Sequence, residues 1–145
     1  MSSARNLLPA VLAYLPVPIA GAMLSAAWNV GASPEGGPGD MFFAGTALTP
    51  PLFLPVLLVG AAFAARSDGV VGRIGAGLAS LVGVAFLAGS TLNLPNDFAA
   101  ADAAGSPLVL SAGLAAIHVA LSITLLYNAL PTVIGRAAER RVATA

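Results

Sequence analysis

The stretch LVLSAGLAAIHVALSITLLYNAL, Leu108–Leu130, runs for 23 residues without an aspartate, glutamate, lysine or arginine. About 20 predominantly apolar residues in helical form are enough to cross the ~30 Å hydrocarbon core of a bilayer. Backbone N–H and C=O groups in lipid must be paired within the segment, so a crossing stretch of this kind is expected to be a helix. Three other apolar runs approach the same length, and we predict four spans, at about 7–28, 47–65, 74–92 and 108–130.

The composition of the whole chain indicates the same class of protein. Of its 145 residues, 58% are hydrophobic and 8% are charged, whereas soluble domains carry about 25% charged residues. A soluble domain of this size could not hide so much apolar surface from water. We therefore predict an all-α integral membrane protein, in which residues 1–145 form a single transmembrane domain. The predicted fold is a four-helix up-down-up-down bundle followed by a short cytoplasmic tail, 131–145.

The distribution of basic residues predicts the orientation of the chain. Every arginine lies before the first span, between the second and third spans, or after the fourth span, and there is no lysine. Basic connections stay on the cytoplasmic side of a membrane, so both termini are predicted to be cytoplasmic. The lack of lysine and the abundance of alanine are typical of a bacterial protein, which would lie in the inner (plasma) membrane. The arginines are Arg5, Arg66, Arg73, Arg136, Arg140 and Arg141.

The first span has an alternative interpretation as a cleaved signal peptide. Arg5, the apolar stretch and the Ser25-Ala26-Ala27 sequence fit such a signal loosely. The apolar stretch is longer than the usual core of a signal peptide, which has about 7–15 residues. An uncleaved span is therefore favoured, and cleavage would leave three spans.

Prolines are concentrated in the first two spans. A proline inside a helix removes one hydrogen bond and bends the helix. Such broken helices line binding sites in some transporters and also occur in ordinary bundles, and the ordinary bundle is favoured here. The prolines concerned are Pro9, Pro16 and Pro18 in the first span, and Pro50, Pro51 and Pro55 in the second.

Small residues recur at a spacing of four in the predicted spans. This spacing lets helices approach closely in lipid. Tight packing inside the bundle is the favoured interpretation, and a dimerisation face is the alternative. The residues are Gly21 and Ser25 in the first span, Gly75, Ala79 and Gly83 in the third, and Ala112, Ala116 and Ala120 in the fourth.

His118 is the only histidine and lies near the middle of the fourth span. Ten residues from Leu108 at 1.5 Å each put it roughly 15 Å into the hydrocarbon core. Ionisable residues at that depth are functional candidates by default, and burial disfavours the charged form, so a neutral imidazole is expected. Ser111 and Ser122 share its helix face, and the three residues form the predicted intramembrane polar site.

Two roles are open for this polar site. The favoured role is structural: His118 bridges helices through a hydrogen bond to a serine or to a carbonyl group freed by a proline. The alternative role is a proton relay or a contact with a ligand. No catalytic residue is predicted at this site.

No motif in the sequence names a reaction. The chain has no cysteine, which excludes thiol catalysis and thiolate metal sites, and nucleophile-elbow, phosphate-loop and zinc-protease motifs are absent. A single histidine cannot supply both axial ligands of a bis-histidine haem, so no cofactor is expected. Loop carboxylates could hold a hard cation, but they lack ligand spacing and no metal site is predicted. They are Glu35, Asp40, Asp97 and Asp102.

The predicted function is therefore that of a non-enzymatic component embedded in the membrane, or an accessory protein there. Its expected partners are the lipid bilayer and either a second copy of the chain or another membrane protein. The formal net charge of +0 provides no field to attract nucleic acid. Two alternatives remain open: a small-solute or proton pathway that uses His118, and a membrane enzyme or redox subunit.

Overall fold

In a computed structural model, the backbone is described for residues 3–143 and the side chains for residues 6–134. All regular elements within that part of the chain are helices, which confirms the predicted all-α class. A short 3-10 helix, Pro38–Phe42, lies in the first connection. The α-helices are α1 (Ser3–Tyr14), α2 (Pro16–Trp28), α3 (Phe53–Ala64), α4 (Gly69–Leu92), α5 (Leu94–Ala103) and α6 (Leu108–Ala143).

Three helical stretches in the described part are long and apolar enough to cross a membrane. They are Asn6–Trp28, Gly69–Leu92 and Leu108–Ile134, with mean hydropathies of 1.9, 1.9 and 2.1. These stretches match the first, third and fourth predicted spans. The region of the second predicted span contains only α3, whose 12 residues extend about 18 Å.

The prolines of the second predicted span explain why its helix is short. Pro50 and Pro51 have no N–H group to donate, and a proline ring disfavours helical backbone in the residue before it. The helix therefore begins only at Phe53. The preceding residues, here called segment 46–52, are non-helical and include an isolated bridge between Thr46 and Thr49.

Segment 46–52 packs closely against α2. Gly21 has no side chain, and the backbone carbonyl of Leu48 occupies the space in which a Cβ would lie. The hydroxyl of Thr49 donates a hydrogen bond of 3.0 Å to the carbonyl oxygen of Pro18. The close approach at Gly21 agrees with the packing role predicted for the small residues of the first span.

The hydroxyl groups of Ser25 and Thr46 continue this contact. Ser25 Oγ donates to the carbonyl oxygen of Gly21 at 2.8 Å. The hydroxyl of Thr46 therefore donates to Ser25 Oγ, at 2.5 Å, and accepts the N–H of Leu48 at 3.2 Å. Non-helical backbone is tolerated at membrane depth only where it is buried in protein with its polar groups paired. The N–H groups of segment 46–52 are paired within the segment and with the carbonyl oxygens of Gly31 and Met41, and its two threonine hydroxyls bond to α2.

The first span is made of two helices, which meet where the prolines predicted a bend. α1 ends at Tyr14 and α2 begins at Pro16, which occupies the start of α2. Proline is well placed at a helix start because the first N–H groups of a helix have no partner within it. Leu15, between α1 and α2, keeps helical φ and ψ angles of -52° and -37°, and its N–H bonds the carbonyl oxygen of Val11 at 3.2 Å. Asn6–Trp28 therefore remains one helical stretch.

The third connection differs from the predicted loop, and the last helix is longer than the predicted span. Residues 94–103 form α5, because Pro95 suits the first turn of a helix and the alanines that follow favour helical backbone. The last helix, α6, has 36 residues and continues past its predicted end at Leu130, through Pro131, to Ala143. The side chains of Arg5, Arg136, Arg140 and Arg141, which supported the predicted orientation, lie outside the described residues.

The helices pack around two buried clusters. In the larger one, α4 packs along both α3 and α6, and α1 contacts α3 and α6; its members include Val11, Leu58 and Leu125. The smaller cluster joins Val30 and Leu48 to α5. It lies at the end of the bundle that holds segment 46–52.

The small residues of α4 lie inside the bundle, as predicted. A Cβ at Gly75 would lie 2.6 Å from the carbonyl oxygen of Ala61, so the backbones of α3 and α4 are in direct contact there. A Cβ at Gly83 would lie 3.2 Å from the side chain of Leu126 in α6. The small residues of α6 differ from this arrangement, since Ala112, Ala116 and Ala120 are exposed.

Candidate functional site

His118 lies in α6 with only 4% of its surface exposed. Its Nδ1 atom is 2.8 Å from the carbonyl oxygen of Leu114, one turn earlier in the same helix. A carbonyl oxygen only accepts hydrogen bonds, so Nδ1 carries the hydrogen, and Nε2 is an acceptor in a neutral ring. Nε2 is buried and has no hydrogen-bond partner among the described residues.

The buried ring of Tyr14 connects His118 with α4. Its centroid lies 5.8 Å from that of His118, with the rings edge to face at 75°. On its other side Tyr14 stacks on Phe86 at 5.1 Å and 29°. These distances are typical of favourable aromatic pairs. Tyr14 Oη is buried and has no hydrogen-bond partner in the described part of the chain.

The two serines of the predicted polar site are both buried, together with His118. Ser122 Oγ donates to the carbonyl oxygen of His118 at 2.7 Å, while Ser111 Oγ has no partner within the described residues. The imidazole thus binds a carbonyl of its own helix, in place of the expected serine or proline-freed carbonyl. The contact of His118 with another helix is made through the ring of Tyr14.

A partly open cavity of about 210 Å³, here called the polar cavity, lies at the end of the bundle beside segment 46–52. Its apolar wall includes Leu54, Phe86 and Ala115. Its polar wall comes from segment 46–52, from the end of α4, and from the start of α5. The polar lining residues are Thr46, Thr49, Ser90, Asn93, Asn96 and Asp97.

The polar cavity and the buried histidine are adjacent but separate. Phe86 lines the cavity and also stacks on Tyr14. Ala115, which lines the cavity too, lies one helical turn before His118. His118 itself does not line the cavity. The aromatic pair Tyr14–Phe86 therefore lies between the cavity and the imidazole.

Asp97 gives the polar cavity its charge. Partial burial raises the pKa of the Asp97 carboxyl to about 6, because desolvation disfavours the charged form. The two arginines with described side chains, Arg66 and Arg73, lie at or before the opposite end of α4. Asn93, which lines the cavity, lies 20 residues after Arg73, which corresponds to roughly 30 Å along the helix.

The other polar side chains of the cavity differ in their hydrogen bonding. The hydroxyls of Thr46 and Thr49 are bonded towards α2. The side chains of Ser90, Asn93 and Asn96 make no hydrogen bond within the described residues. These three side chains, together with Asp97, are available to a molecule in the cavity.

The loop carboxylates that were considered for a cation do not converge. Of the four, only Asp97 lines the polar cavity. No group of three or more histidine, aspartate or glutamate residues in the described part of the chain is arranged to hold a metal ion.

The sequence interpretation missed Tyr14, Phe86 and the polar cavity. A tyrosine inside an apolar span, two residues before Pro16, was the one signal available for Tyr14. Nothing in the sequence pointed to Phe86, because a phenylalanine in an apolar span has no distinguishing neighbour.

The arrangement defines an all-helical protein with three helices that are long and apolar enough to cross a membrane, a buried histidine and an acidic cavity at one end. No family model, curated protein or solved structure matches this chain. Its function is therefore inferred from its own residues.

Proposed function

We propose that this protein is a non-enzymatic integral membrane protein that acts through its position in the bilayer and through a protein partner. The distribution of residues on α6 supports the proposal. Its polar residues Ser111, His118 and Ser122 are buried, whereas Ile117 and Ile123 are about half exposed, at 45% and 54%. This inverts the pattern of a helix in a water-soluble protein and suits a helix whose solvent is lipid.

The exposed alanines of α6 are the proposed contact with the partner. Ala112, Ala116 and Ala120 lie on the face of α6 opposite to His118, and small residues allow a second helix to approach closely in lipid. We infer that the partner is a second copy of this chain or another membrane protein that packs on this stripe.

Ala116→Leu is expected to dissociate the native complex, because a larger side chain separates the two helices. The measurement is the mass of the complex in a mild detergent or in native nanodiscs. Ala20→Leu, at an exposed alanine of α2, is the matched control and should leave the mass unchanged. A wild-type protein that is entirely monomeric contradicts the proposal.

We further propose that the chain crosses a bacterial plasma membrane four times with both termini in the cytoplasm. Segment 46–52 and α3 together would make the second crossing, and Arg66 and Arg73 would lie on the cytoplasmic side. Cysteines at Gly37 and Asp102 should then react with an impermeant reagent on intact cells, and a cysteine at Ser67 only after permeabilisation. If the second crossing is absent, positions 37 and 67 will react from the same side.

A proton or small-solute pathway is the second candidate. It is favoured by three buried polar atoms without partners among the described residues: His118 Nε2, Tyr14 Oη and Ser111 Oγ. Such groups are costly in an apolar interior unless they are used. In this case His118→Ala abolishes proton flux into liposomes, whereas Thr124→Ala, at an exposed position of α6, does not. Equal flux in both variants excludes this pathway.

A further inference from the structure

We propose that the polar cavity binds a small organic ammonium ion, with the Asp97 carboxylate as counter-ion and the side-chain oxygens of Asn93 and Asn96 as hydrogen-bond acceptors. This site is separate from the proposed partner surface on α6, and it requires no pathway through His118.

The position of Asp97 supplies the first argument. The carboxylate lines the cavity, is partly buried and makes no ion pair or hydrogen bond within the described residues. It lies in the first turn of α5, whose N-cap residue is Asn93. A desolvated carboxylate is stabilised by a cation. No arginine with a described side chain lies near this carboxylate, so we infer that the cation comes from outside the chain.

The neutral groups around Asp97 supply the second argument. Side-chain amides and a hydroxyl accept the N–H groups of an ammonium ion, and Ser90, Asn93 and Asn96 have no competing partner among the described residues. The apolar part of the lining, which includes Leu54 and Phe86, suits the carbon skeleton of the ligand. A cationic group near an aromatic face also gains cation–π attraction.

The size of the cavity separates an organic cation from a metal ion. A cavity of about 150 Å³ holds benzene, and the polar cavity is about 210 Å³. A hard metal ion needs several oxygen ligands at about 2.0–2.6 Å, and only one carboxylate lines this space. The dimensions fit an amine with a short aliphatic chain or a single ring.

The proposal predicts a dependence of binding on pH. Asp97 is the only titratable side chain that lines the cavity in the described part of the chain; Asp40 in the 3-10 helix and Asp102 in α5 lie outside the lining. A carboxyl with a pKa of about 6 is largely ionised at pH 7.5 and largely protonated at pH 5, while an alkylammonium stays charged. Affinity should therefore fall about tenfold between these pH values.

Titration of benzylammonium into nanodiscs that contain the protein tests the site, with benzyl alcohol as the uncharged probe. Benzylammonium should bind, and benzyl alcohol should bind at least about tenfold more weakly, since hydrogen bonds to charged groups are the stronger ones. Asp97→Asn should weaken the binding of benzylammonium by at least about tenfold, because it removes the counter-ion. Asp102→Asn, at an exposed carboxyl of the same helix, is the matched control.

The proposal is overturned if benzylammonium does not bind, if benzyl alcohol binds equally well, or if Asp97→Asn leaves the affinity unchanged. It is also overturned if Ca²⁺ or Na⁺ displaces benzylammonium from the wild type but not from Asp97→Asn. Empty nanodiscs correct for partition of the amine into lipid. Asn96→Ala provides a second variant if Asp97→Asn does not fold, and it should weaken binding severalfold. An unchanged affinity in Asn96→Ala, when only that variant folds, also counts against the site. The partner experiment on α6 is unaffected by any of these results.

Discussion

Gly75→Ala is expected to lower the free energy of unfolding by about 2–3 kcal/mol, the cost of forcing extra volume into a packed contact. The new Cβ would lie 2.6 Å from the carbonyl oxygen of Ala61 and 2.7 Å from the carbonyl carbon of Ala64. Both atoms belong to the backbone of α3, so a change of rotamer cannot relieve the contact. The α3–α4 pair has to separate.

Gly77→Ala is the matched control for this prediction. It lies in the same helix and makes the same chemical change, but no atom outside the adjoining helix backbone lies within 4 Å of the place that its new Cβ would occupy. Because alanine favours helix over glycine, the control should be neutral or stabilising by up to about 1 kcal/mol. Unfolding of both variants in mixed micelles with increasing SDS measures the difference. Equal destabilisation by the two changes contradicts direct contact of α3 and α4.

Tyr14→Ala is expected to lower the free energy of unfolding by about 2–4 kcal/mol. Large-to-small changes in soluble cores cost about 3–5 kcal/mol for aromatic residues, of which a part is transfer from water. Helices in lipid gain little from that transfer, so the lost packing against Phe86 and His118 dominates. Tyr14 contacts both through its ring.

Tyr14→Phe is expected to raise the free energy of unfolding by about 1 kcal/mol. It removes a buried hydroxyl that has no partner among the described residues. Tyr127→Phe, at a side chain with 79% of its surface exposed, should be neutral. The same unfolding assay applies to all three variants. A clear loss of stability in Tyr14→Phe would show that the hydroxyl is bonded in the membrane, and would favour the proton pathway.

Length and hydropathy were sufficient to predict most of the helical stretches. The first, third and fourth runs have enough apolar residues to cross a membrane, and the structure has helices there. The second run is also apolar throughout, but hydropathy alone does not show where a helix begins. Pro50 and Pro51 delay the start of that helix to Phe53. The helix α5 was not predicted, because proline and asparagine, which it contains near its start, are also common in turns.

The burial of His118 was predicted from its place on a small, polar helix face, but its neighbours were not. Lipid accepts apolar residues on every side of a helix, so the sequence lacks the one-sided pattern that would set the rotation of α1 and α4. The meeting of Tyr14, Phe86 and His118 depends on that rotation. The polar cavity depends on α5, which returns Asn96 and Asp97 towards segment 46–52.

The contact between segment 46–52 and α2 has a consequence for the order of events during synthesis. A non-helical segment cannot enter lipid alone, because its backbone groups have no partners there. Its partners include the carbonyl of Pro18, which accepts the Thr49 hydroxyl, and the carbonyl of Gly31, which accepts the Ala47 N–H. Both partners leave the ribosome before the segment does. In the proposed four-span arrangement, the first span would thus be in place before segment 46–52 packs against it. A chain that began at residue 30 would lose the contact of this segment with α2.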